Sequence, residues 1–156
     1  MRIIKYYIAS FVWISFFITA CGTSQNCIKH LEEMITVPDV NSWLNLMPGE
    51  KGSLHISGEY SFDVKDAELN PSLKKINVSI GRELVYSVFP KVKNKFNKDD
   101  VNRDPDKTEM QFFTNPGLNI KEILLSTDRI NLEFIFDING IEIIKRLSDI
   151  ELTRAY

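Results

Sequence analysis

Four oxygen-bearing side chains alternate in one acidic stretch: Asp100, Asn102, Asp104 and Asp106. That spacing resembles the way a calcium loop sets out its ligands, but two requirements are missing. Counted from Asp100, the sixth position is Pro105, where glycine allows the sharp turn, and the twelfth is Gln111, where a bidentate glutamate is needed. A solvated acidic loop is therefore expected. His30, Glu32 and Glu33 put three ligand-type residues within four positions, yet no further histidine or cysteine follows at ligand spacing. His30 and His55 are the two histidines, and neither adjoins a Gly-x-Ser-x-Gly turn. Cys-x-x-Cys, His-Glu-x-x-His and a glycine-rich phosphate loop are all missing. These residues predict no enzyme, no cofactor and no metal.

Binding chemistry is better supplied. Lys91, Lys93 and Lys95 alternate with Lys98 close behind, which on a strand gives either a cationic row for anionic headgroups or a lysine-guarded edge. Trp43, Leu46 and Met47 precede the Pro48-Gly49 turn. Tryptophan and methionine are enriched in interface cores, so Trp43 and Met47 are the candidate partner-binding residues. The competing role for Trp43 is to plug one end of the core.

The elements that must carry these residues are short strands. From Leu54 to Val64 apolar and polar residues alternate, and only Gly58 interrupts the apolar row. A glycine where a side chain should pack predicts a bulge or a close backbone approach. Alternation returns at Ile76–Ile80, turns at Gly81-Arg82, and resumes from Leu84 to Phe89 before Pro90. Glu109–Thr114 reads as a strand, Asn115-Pro116-Gly117 as a turn, and 118–125 as a strand or short helix. Ile130, Leu132, Phe134, Phe136 and Ile138 form an apolar row at period two. Asn139-Gly140 follows, the strongest short hairpin signal, and then a run to Leu147. Residues 149–154 suggest a final edge strand. The sum is an all-β fold, an antiparallel β-sandwich of about seven to eight strands, with a small closed β-barrel as the alternative.

The N-terminus sets the compartment. Arg2 and Lys5 precede an uncharged apolar run from Tyr6 to Ile18, shorter than the ~20 residues that span a bilayer. It ends in Ile18-Thr19-Ala20-Cys21, which resembles the lipobox of bacterial lipoproteins: aliphatic, small, small, cysteine. The resemblance covers residues 1–21. It implies a diacylglyceryl group on the Cys21 thiol, cleavage between Ala20 and Cys21, and palmitate-type acylation. Each buried CH₂ contributes ~0.8 kcal/mol, so two or more chains hold a protein on a membrane without spanning it. Gly22 in place of an aspartate implies, in a diderm host, the outer membrane with the domain facing the periplasm.

Cleavage would leave 136 of 156 residues and, with Arg2 and Lys5 removed, shift the net charge from −2 to −4. One domain fits that length, and the acidic balance argues against nucleic acid. The expected organisation is a signal peptide over 1–20, a lipidated cysteine and tether over 21–37, and one β domain over 38–156. Cys27 is then a lone cysteine on the tether. A small tethered β domain without visible chemistry points to a protein-binding module. The sharpest version resembles the envelope immunity lipoproteins that neutralise a secreted toxin. The alternatives are a structural subunit of an envelope or secretion assembly, or a lipid or small-ligand binder.

Overall fold

A computed structural model describes residues 28–48, 51–96 and 104–156. Contacts divide the chain between Glu33 and Met34 into two units. Of the first, residues 28–33 are described, within a helix (α1) over 28–34 that carries an exposed Lys29–Glu33 pair at 4.0 Å. No helix among the described residues is long and apolar enough to cross a membrane.

The second unit is mostly β. Its strands are β1 (Val40–Asn45), β2 (Ser53–Asp63), β3 (Ser72–Ile80), β4 (Glu83–Val88) and β5 (Lys91–Asn94). There follow β6 (Lys107–Phe113), β7 (Leu118–Asn119), β8 (Arg129–Ile138) and β9 (Ile141–Ala155). A 3-10 helix fills Val64–Leu69, and a short helix, α2, spans Glu122–Leu125. The stretch 118–125, open between strand and helix on sequence grounds, contains both. Met34–Val37 belong to this unit. Ile35 is buried, and Thr36 and Ser61 exchange backbone hydrogen bonds of 2.9 Å. The chain thus joins the fold before Pro38.

All strands lie in one curled sheet, a half-barrel in the order β4-β3-β8-β9-β1-β2-β6-β5, with β7 beside β2. The sheet is mixed, which corrects the expectation of antiparallel pairing throughout. β9 runs parallel to β1, Ser42 opposite Leu152 through Asn45 opposite Ala155, while the other pairings are antiparallel. Residues 149–154 are not an edge strand either. They continue β9 past a register shift at which Asp149 adopts φ 58°, its N–H donating to Asn131 Oδ1 at 3.1 Å. That kink lets one long strand serve two partners, β8 along most of its length and β1 at its end.

The apolar rows fill the concave side. Leu54, Ile56, Tyr60 and Phe62 of β2 face Ile130, Leu132, Phe134, Phe136 and Ile138 of β8, all buried. Tyr60 meets Phe136 edge-on with centroids 5.1 Å apart, and Phe112 of β6 meets Phe134 at 5.3 Å. β2 and β8 are three places apart in the strand order, so these contacts require the curl. Asn139 and Gly140 take φ of 51° and 84°, the conformation a two-residue hairpin turn demands. At the far end of the order, β4 is tied back by its side chains. Tyr86 Oη donates to the Asn119 carbonyl at 2.6 Å and accepts from Lys121 N–H at 3.0 Å. Lys121 Nζ also donates to the Val85 carbonyl, at 2.5 Å.

Candidate partner-binding face

The convex side of β1, β2, β6 and β5 gathers the polar and aromatic side chains that alternation turns away from the core. Three cross-strand rows follow from the register. In the first, Trp43 lies opposite His55 and stacks on it, centroids 5.1 Å apart and planes 10° from parallel. His55 Nε2 shares a 2.8 Å hydrogen bond with Ser53 Oγ. The Gly117 backbone packs against the imidazole so closely that a Cβ there would lie 2.5 Å from Cε1. Trp43 is therefore a half-buried outward residue rather than a plug in the core, and His55 is its platform. Met47 follows β1 and is half exposed, its N–H donating to Asn45 Oδ1 at 3.1 Å.

The second row runs Asn41, Ser57, Phe113, Lys91, and the third Asp39, Glu59, Gln111, Lys93. Between them is a groove of about 300 Å³, lined also by Gly58 and Phe112. Gly58 explains the local geometry. A Cβ on it would lie 2.4 Å from the Asp39 carbonyl oxygen and 2.7 Å from Phe112 Cζ. The missing side chain lets Asp39 come close enough for Glu59 N–H to donate to its carbonyl at 3.1 Å. The anomaly in the alternating pattern is thus a close backbone approach, as its position predicts.

Charge on this face is paired in the middle. Lys95 Nζ donates to Glu59 Oε2 at 2.6 Å and stands 3.9 Å from Glu109, and Gln111 Nε2 donates to Glu59 Oε1 at 3.2 Å. The hydrogen bond from Lys95 holds the Glu59 carboxyl below its ordinary range, against the opposing effect of burial, and raises the Lys95 ammonium in turn. Lys93, exposed, lies over the Phe113 ring at 5.7 Å. The lysine row is therefore no uniform cationic stripe. Lys95 belongs to an ion cluster, while Lys93 extends from the sheet.

Thr114 finishes the frame. β2 pairs with β6 up to Ser57 and with β7 from Leu54, leaving Ile56 between the two ladders. Thr114 Oγ1, buried, accepts from Ile56 N–H at 3.0 Å, and Thr114 N–H donates to the Ile56 carbonyl at 2.9 Å.

Cys21, Cys27, Asp100 and Asn102 lie outside the described residues. Asp104 and Asp106 sit on an exposed turn before β6, where Asp106 N–H donates to Asp104 Oδ1 at 3.0 Å. His30, Glu32 and Glu33 are exposed on α1. Among the described residues no three His, Cys, Asp or Glu side chains converge as metal ligands. Comparison with family models, with curated proteins and with solved structures returns no match.

Proposed function

We propose that this protein is a lipid-anchored envelope lipoprotein whose β domain binds another protein without catalysis, most sharply as an immunity protein against a secreted toxin. The observation that carries the reading is Ile18-Thr19-Ala20-Cys21 at the end of an uncharged apolar run. Acylation at Cys21 would fix the domain to the outer membrane, facing the periplasm. Tethering raises effective concentration, so a modest intrinsic affinity suffices. The convex face adds support, because it offers an aromatic stack, an exposed methionine and fixed charges on a rigid sheet. Such a surface suits a protein partner.

Of the two architectures open on sequence grounds, the reading here is the barrel. β4 and β5 end the strand order on opposite sides yet are separated in the chain only by Phe89 and Pro90. The Tyr86 and Lys121 hydrogen bonds support the same closure.

Mild crosslinking of the tagged, anchored protein in its own host, followed by affinity capture and mass spectrometry, tests the binding role. One stoichiometric secreted toxin, with sensitivity to it on deletion, is the expected result. Capture of several envelope-machine subunits, with loss of secretion, would replace immunity by a scaffold. Recovery of lipid alone would overturn both.

A further inference from the structure

The groove between the second and third rows is a dipolar trough. Asp39 and Asn41 stand at the β1 end and Lys93 at the β5 end. Four adjacent strands separate those ends by three inter-strand spacings, about 14 Å. Asp39 and Lys93 are both exposed and too far apart to neutralise one another across the sheet. Between them, Glu59 is already engaged by Lys95 and Gln111, so the middle of the trough is electrostatically satisfied. Among the described residues, the Asp39 carboxylate receives only a long 3.4 Å contact from the Asn41 amide, and Lys93 has only the Phe113 ring beneath it.

We infer that this trough takes a short extended peptide segment of a partner protein, with a basic side chain at one end against Asp39 and an acidic one at the other against Lys93. Length decides the class of ligand. A single zwitterionic amino acid separates its charges by only about one residue length, whereas an extended chain covers about 14 Å in about four residues. Ser57, Asn41 and Gln111 supply hydrogen-bonding groups along the path, and Phe113 gives an apolar wall. The volume, about 300 Å³, fits a few side chains rather than a folded element. The inference rests on the protein-binding reading and specifies where the partner touches and what it carries.

The test is an NMR titration of the full-length ¹⁵N-labelled protein in detergent with three blocked peptides. Acetyl-Arg-Ala-Ala-Ala-Glu-amide carries opposite charges on one face of an extended chain, and the Arg-Ala-Ala-Ala-Arg and Glu-Ala-Ala-Ala-Glu analogues carry like charges. The mixed peptide should bind about tenfold more tightly than either control, with shifts centred on Asn41, Gly58, Gln111 and Phe113. Asp39→Lys should move the preference to the Glu-Ala-Ala-Ala-Glu peptide, and Lys93→Glu to the Arg-Ala-Ala-Ala-Arg peptide. Both sites are exposed, and dispersed spectra verify folding. Equal binding of the three peptides, shifts elsewhere, or variants that do not switch would overturn the trough. The outcome is separable from the broader reading. A captured partner that Asp39→Lys still binds fully refutes the trough alone, and peptide binding with no captured protein refutes the immunity role alone.

Discussion

Replacing Gly58 by alanine tests the geometry on which the convex face depends. The added Cβ would meet the Asp39 carbonyl oxygen at 2.4 Å and Phe112 Cζ at 2.7 Å, distances that require something to move. The carbonyl belongs to the backbone. Phe112 is buried and packed edge-on against Phe134, so neither neighbour yields freely. Overpacking of this kind costs about 1–3 kcal/mol. Weakening the 3.1 Å hydrogen bond from Glu59 N–H to Asp39 adds about 0.5–1.5 kcal/mol. The smaller conformational freedom of the unfolded alanine chain returns about 0.4–1 kcal/mol. A net loss of about 2–3 kcal/mol follows, a drop in Tm of roughly 10 °C for a domain of this size. Thermal and urea denaturation followed by far-UV circular dichroism would measure it. Gly81→Ala is the control, because that site has open space and a φ of 58°, so only backbone strain of about 1 kcal/mol is expected. Gly58→Ala no more costly than Gly81→Ala, or within about 0.5 kcal/mol of the parent, would refute the close approach.

Three further outcomes follow from the same structure. Thr114→Val removes the acceptor for the Ile56 amide and should cost about 1–3 kcal/mol in urea denaturation, while Thr114→Ser should retain most of the stability. Tyr86→Phe removes two hydrogen bonds that tie β4 to residues 119–121. It should open that seam locally, with amide exchange at Lys121 about tenfold faster and little change in global stability. Glu59 and Glu133 are both held below the ordinary carboxylate value of 4.5, chiefly by hydrogen bonds from Lys95 and Arg146. Their contribution is full above that value and is lost as pH falls through the lowered ones, so Glu59→Gln and Glu133→Gln should flatten the acid limb of a stability–pH profile.

Local features of this fold are written in the sequence, and long-range ones are not. The row from Ile130 to Ile138 and the Asn139-Gly140 turn specify β8, its hairpin and its buried face, because period and turn chemistry act between neighbours. Gly58 was legible for the same reason: one residue broke a regular pattern. The parallel pairing of β1 with β9 joins residues more than 100 positions apart, and nothing near Ser42 or Leu152 announces it. The kink at Asp149 was likewise hidden, since a non-glycine residue with positive φ leaves no clear local mark. On the convex face, Trp43 stood out by type, but its stack on His55 depends on register between strands. Glu59, Lys95 and Gln111 looked like ordinary surface residues until three strands brought them together.

The proposed anchoring of this domain at a membrane stands on residues 18–21, and the mass of the mature N-terminus tests it most directly. The protein should be purified from the membranes of its own host and its N-terminal peptide analysed by mass spectrometry. The chain should begin at Cys21 and carry the added mass of a diacylglyceryl group, and Cys21→Ser should abolish both. A chain that retains residues 1–20, or one cut elsewhere with an unmodified Cys21, would contradict it.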